Sequence, residues 1–173
     1  DAVTTGDGGR IIVWSDGNTQ VYGQLYARGG ALAGNGGFVE TSGLQNLGLS
    51  GSVDVSAANG AGGTWLLDPD LLVIGTMPIL TVSGASNPMN CEQMGMCVAV
   101  SNTAINMALD SGSNVELQGD TILINSTITK STGESGVIFS ADSPICTIAS
   151  RMAARSTTAG TPVKSCINTR AGR

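Results

Sequence analysis

Few side chains in this sequence could do chemistry, and their spacing narrows the options. The chain has no histidine, which removes Ser-His-Asp and Cys-His nucleophile pairs, imidazole general bases and most zinc sites. The close pair of carboxylates in the repeating part is Asp68 and Asp70, on either side of Pro69. At that spacing they could bind calcium or serve as a glycosidase-type acid and base. The reading the sequence favours is a turn: Pro69 fixes its own φ, pushes Asp68 away from the α region, and leaves Asp68 to cap local backbone donors. A polysaccharide lyase would need acids clustered with a base on one face. Arg10 and Arg28 are the only bases before Lys130, and no acid cluster stands out to join them.

Cys91 and Cys97 enclose five residues and read either as a disulfide pinning a loop or as two free thiols. Without histidine or further thiols nearby they make a poor metal site. Cys146 and Cys166 could pair likewise. Trp14 and Trp65 would stack on sugar rings if exposed, although filling the core is the reading favoured for both. Glycine pairs at 8–9, 36–37 and 62–63 lack the Lys-Ser/Thr that a phosphate loop needs. Asn125-Ser126-Thr127 is a glycosylation sequon. No catalytic residue, cofactor or metal is expected.

Charge and composition bound the partners. Residues 1–142 hold all 13 acids against Arg10, Arg28 and Lys130, a formal balance of −10, whereas 143–173 hold five bases and no acid. Nothing in the main body could neutralise phosphates, so no nucleic-acid partner is expected. No apolar run approaches the ~20 residues of a membrane-spanning helix. The chain starts Asp1-Ala2-Val3 without a charged-then-apolar leader, and we read it as a piece of something longer. Glycine occupies 25 of 173 positions, about double the usual ~7%. Yet 41% of residues are apolar, too many for a disordered linker.

The elements that must position these residues repeat. Glycine pairs open the runs Gly8-Gly9-Arg10-Ile11-Ile12-Val13-Trp14, Gly36-Gly37-Phe38-Val39-Glu40-Thr41 and Gly62-Gly63-Thr64-Trp65-Leu66-Leu67, at intervals of 28 and 26 residues. A second marker, Gly23-Gln24-Leu25-Tyr26-Ala27 and then Gly51-Ser52-Val53-Asp54-Val55, recurs after 28. Short β-type runs between Gly/Asn/Ser turns, at this period, predict one layer of a β-solenoid per repeat. Its narrow interior takes small or aliphatic residues: Ile11, Val13, Leu25, Ala27, Val39, Val53, Val55 and Leu66. Glycine is expected to supply corners with φ > 0.

After Leu67 the pattern changes. Strands are expected at 71–74 and 79–82, and 84–98 is a Met- and Asn-rich segment carrying Cys91 and Cys97. Ser101-Asn102 can cap a short helix with Ala104, Ile105, Ala108 and Leu109 on one face, which Gly112 stops. Short strands resume at 115–117, 121–124, 127–129 and 137–140. The organisation expected is repeats over 1–83, a Cys-bearing insertion with a short helix over 84–113, further repeats over 114–142, and a basic tail over 143–173. That tail lacks alternation and reads either as a frameshifted, non-native end or as an irregular capping segment.

The stretches 8–16 (GGRIIVWSD), 26–43 (YARGGALAGNGGFVETSG), 53–58 (VDVSAA) and 59–70 (NGAGGTWLLDPD) resemble the two-partner secretion exoproteins of the filamentous haemagglutinin and high-molecular-weight adhesin group. Residues 102–109 and 114–124 resemble the region C-terminal to the LLDP motif in that group. The resemblance covers roughly residues 6–142. It implies an all-β, right-handed parallel β-helix, extracellular or on the bacterial outer-membrane surface, exported by an outer-membrane β-barrel transporter. It also implies attachment to a host-cell glycan or protein receptor, or to other bacteria. Some members instead carry a toxin or contact-dependent inhibitor on the same kind of shaft.

Overall fold

Runs of three to six β-type residues between Gly, Asn and Ser corners are too short to form stable hairpins with their chain neighbours. They pair instead with their counterparts one repeat later. The computed structural model describes residues 1–76, 99–132, 135–141, 145–147 and 165–167. Its strands are β1 (Arg10–Ser15), β2 (Asn18–Val21), β3 (Gln24–Tyr26), β4 (Phe38–Gly43), β5 (Asn46–Leu49), β6 (Ser52–Asp54), β7 (Thr64–Leu67) and β8 (Leu71–Gly75). Then come β9 (Val100–Ser101), the single described helix α1 (Asn102–Ser111), β10 (Asn114–Gly119), β11 (Thr121–Ile124), β12 (Val137–Ala141), β13 (Ile145–Thr147) and β14 (Ser165–Ile167). The described residues are thus mostly β, with parallel sheets and one short helix.

Three sheets result, ordered β1-β4-β7-β10-β12, β14-β13-β11-β8-β9-β5-β2 and β3-β6. Arg10 pairs with Phe38, Asn18 with Asn46 and Gln24 with Ser52, so one 28-residue shift serves all three sheets. Phe38 then pairs with Thr64 after 26 residues. Among the described pairings only β13–β14 is antiparallel; β13 itself runs parallel to β11.

Alternate residues on each strand face inward and stack in columns. Ile11, Val39, Trp65, Val115 and Val137 form one. Leu47, Leu72 and Ile122 lie in the next sheet, where Thr19 starts the column. Burying each aliphatic side chain is worth about 1.5–3 kcal/mol. The first repeat shows the period by contrast: Ile11, Val13 and Leu25 are only partly buried against the core. Leu66, expected inside, faces outward; its neighbours Trp65 and Leu67 are the buried ones. Trp65 fits because its indole N–H donates to Thr41 Oγ1 at 2.9 Å, satisfying both buried polar groups. β8 is buried on both faces, which is why Leu71-Leu72-Val73-Ile74 reads as a continuous apolar run.

The glycine pairs serve close approach, not left-handed corners. The described positive-φ glycines are Gly6, Gly34, Gly112 and Gly119, none of them in a pair. A Cβ on Gly36 would lie 1.7 Å from the Val55 carbonyl oxygen and 2.3 Å from the Gly63 nitrogen. Meanwhile the Gly37 N–H donates to Ala27 O at 2.8 Å and the Gly63 N–H to Val55 O at 2.7 Å. The pairs at 36–37 and 62–63 therefore close the preceding repeat while the following one passes within backbone contact.

The interruption enters at one place. Val100 pairs with both Leu49 and Ile74, so the returning chain wedges between β5 and β8, which pair directly at Asn46–Leu71. Helix α1 then lies beside β6. It buries Ala104, Ile105, Ala108 and Leu109 and stops at Gly112, whose φ is 97°. Ser101 occupies the N-cap position but its side chain makes no capping bond. Ser113 Oγ accepts the Val55 N–H, tying the helix end to the stack.

Residues 127–129, expected as a strand, are not one, because α1 offers side chains where a neighbouring strand would offer its backbone. Asn102 Nδ2 donates to Thr127 O (2.9 Å), Asn106 Oδ1 accepts the Thr129 N–H (2.8 Å) and Asp110 Oδ1 accepts the Ser131 N–H (2.5 Å). Four helical residues advance ~6 Å and two extended residues ~6.6 Å, so the two periods match. The strand expected at 79–82 and the Cys91–Cys97 pair lie outside the described residues.

Two outcomes are expected. Gly36→Ala should cost roughly 3 kcal/mol and lower Tm by about 10 °C, whereas Gly9→Ala, whose added Cβ meets nothing within 4 Å, should move Tm by less than about 2 °C; paired thermal melts decide. The Asp110 carboxyl is held below its ordinary 3.8 first by the Ser131 backbone N–H, then by Thr132. Its contribution is therefore present above pH 3.8 and lost as pH falls through the lower, folded value. Asp110→Ala should raise amide exchange at Ser131 and Thr132 near neutral pH, with little change in β6.

Candidate contact face

The outward positions of β1, β4, β7, β10 and β12 share one sheet face. Strand alternation puts Arg10, Ile12 and Trp14 outside in β1, followed by Phe38 and Glu40 in β4, Leu66 in β7, Glu116 in β10 and Ile138 in β12. Parallel register brings Ile12, Glu40, Leu66, Glu116 and Ile138 into a single column. Ile12 is 53%, Trp14 52% and Ile138 57% exposed, far above what core-forming residues of this size retain. The Arg10 guanidinium stacks 4.8 Å from the Phe38 ring centroid at the other end of the strands.

Carboxylates gather at the far end of this face. Asp68, Pro69 and Asp70 form the corner between β7 and β8. It is tied into the stack by the Asp68 N–H to Ser42 Oγ, the Asp70 N–H to Leu44 O and the Thr121 N–H to Asp70 O. Burial raises the Asp68 carboxyl above its ordinary 3.8, and Glu40, Asp70, Asp120 and Glu116 push it further the same way. The sequence marks only the Asp68/Asp70 pair; stacking adds Glu40, Glu116 and Asp120. These partners are hidden in the sequence because Glu116 and Asp120 arrive some 50 residues later, after the interruption.

Arg10 sits four residues up-strand of the level of Asp68 and two layers away from it, roughly 16 Å between backbones. Among the described residues no group of three or more Cys, Asp or Glu side chains could hold a metal ion.

The other sites separate. Trp14 is outward and half exposed, Trp65 fully buried, so only Trp14 can meet a ligand. Arg28 borders a cavity of about 530 Å³ lined also by Ala31, Asp54, Ser56 and Ser111. Its backbone N–H and Nη2 both bond the Asp1 carboxylate at 2.8 Å, and its guanidinium lies 4.7 Å from the Tyr26 ring centroid. That arginine is committed within the fold. Asn125 of the sequon is exposed, with its backbone N–H bonded to Ile74 O.

Because Asp68 has a raised folded-state value, its charge disfavours the fold. Stability from this group is complete below pH 3.8 and is lost as pH rises through the raised value. Asp68→Asn should therefore raise Tm by about 1–2 °C at pH 7, a modest gain because the group is largely solvated, and change nothing at pH 3. A gain that is equal at both pH values would rule out the electrostatic cause. No family model matches the sequence and no curated protein matches it, so the functional reading rests on the resemblance across residues 6–142 and on this face.

Proposed function

We propose that the chain is a segment of a secreted or surface-anchored bacterial filamentous adhesin, built as a right-handed parallel β-helix. In this reading it serves as both shaft and contact surface for attachment to host cells or other bacteria. Export runs through an outer-membrane β-barrel transporter, and the receptor is a host-cell glycan or protein. The observation that carries the reading is the parallel, in-register pairing of strands 26–28 residues apart. Repeats joined this way add layers indefinitely and make a stiff rod from nearest-neighbour contacts. A rod that presents the same kind of face layer after layer gains avidity from individually weak contacts. The half-exposed Ile12 and Trp14 supply apolar surface of the kind that interfaces use. No residue is assigned a catalytic role.

Beads coated with the 173-residue chain should attach to epithelial cells saturably, and excess free chain should displace them. Ile12→Ser combined with Trp14→Ser should remove most of that attachment while the β-type circular dichroism spectrum is kept. Folded chain that gives no attachment above beads bearing an unrelated parallel β protein would leave a non-adhesive shaft, as in the toxin-bearing relatives of this group, and would overturn the adhesive reading.

A further inference from the structure

The central column of the exposed face alternates by chemistry: Ile12, Glu40, Leu66, Glu116, Ile138. Layers ~4.8 Å apart place the two glutamates ~9.6 Å from each other, with an aliphatic group between them and one beyond each. Asp68 and Asp120 extend the negative charge along the strand ends, and Arg10, the base on this face among the described residues, is held on Phe38.

Such a column discriminates among occupants. Nucleic acid and anionic membrane are repelled. A neutral sugar finds one aromatic platform, Trp14, and no use for the column. A second copy laid on the face meets glutamate with glutamate, and a one-layer offset presses carboxylates onto Ile and Leu, where they lose hydration without gaining a partner. The complement is a pair of cations about 10 Å apart flanking an aliphatic residue. An α-helix presents that pattern on one side, since residues i and i+7 lie ~10.5 Å apart along the axis with i+3 and i+4 between them.

We propose that this face docks a basic amphipathic helix of a protein partner, with two Lys or Arg residues on Glu40 and Glu116 and an aliphatic residue between them on Leu66. Cations there would also relieve the crowding that raises Asp68. The inference stands on the face alone: peptide docking can succeed where cell attachment fails, and the reverse.

The test is a titration of the full chain with a helical peptide carrying Lys at i and i+7 and Leu at i+3 and i+4, followed by Trp14 emission, with buried Trp65 as internal reference. Saturable binding is expected, weakened about tenfold or more by Glu40→Gln with Glu116→Gln and severalfold by Leu66→Ser. Asp7→Asn with Asp54→Asn removes the same charge elsewhere and should change affinity less than about twofold. Equal weakening by both pairs would reduce the effect to net charge and overturn the proposal. So would equal binding of the peptide with Glu in place of Lys, or self-association that Glu40→Gln with Glu116→Gln strengthens, which would make a second copy the occupant.

Discussion

The backbone ladder between successive layers is the interaction on which every other feature depends. A strand of three to six residues has too few hydrogen bonds to hold alone, and here it gains a full set only from strands one repeat away. That requirement sets the spacing at ~4.8 Å and forces like positions into columns. It also makes the backbone approach itself at the ends of each layer. Gly36 is the clearest result: its missing Cβ is the space through which Val55 passes. Glycine there is a packing residue, as particular to its place as Trp65 is inside.

A stack of this kind can absorb an interruption only if the backbone groups on either side still find partners. Val100 meets that demand by bonding into the sheet between Leu49 and Ile74. Helix α1 meets it differently. It satisfies its own backbone and offers β6 an apolar side, Ser113 just beyond it accepts the Val55 N–H on its hydroxyl, and Asn102, Asn106 and Asp110 substitute for the missing ladder toward residues 127–131. The price is exposure, since a carboxylate that clamps two amides works only while ionised.

The period, the described short strands other than the one expected at 127–129, and the helix with its Gly112 stop were legible because each leaves a local mark: a glycine pair, an apolar alternation, an apolar face at helical spacing. Register across the interruption was not, because no local mark joins Leu66 to Glu116. Inward and outward were legible for Val39 and Val53 but not for Leu66. In Trp65-Leu66-Leu67 all three residues are apolar, and only pairing with Val39, Glu40 and Thr41 decides which points in. The two tryptophans show the same limit: identical side chains, opposite faces, and no composition rule that separates them.

What remains free in such a structure is the outward column. Inside positions are chosen for volume, corners for backbone conformation or approach, and strand edges for hydrogen bonding. Side chains pointing away from the stack carry none of these duties, yet parallel register still aligns them at a fixed spacing. A like-charged crowd around Asp68 disfavours the folded state, and nothing in the core requires it. Glutamine at either Glu40 or Glu116 leaves the inward columns as they are, and at 116 it keeps an oxygen to accept from Gln118 Nε2. Local choices that oppose stability are most readily explained where a surface has work to do, and here the opposing choices lie beside exposed Ile12, Trp14 and Ile138, on the sheet that runs from β1 to β12.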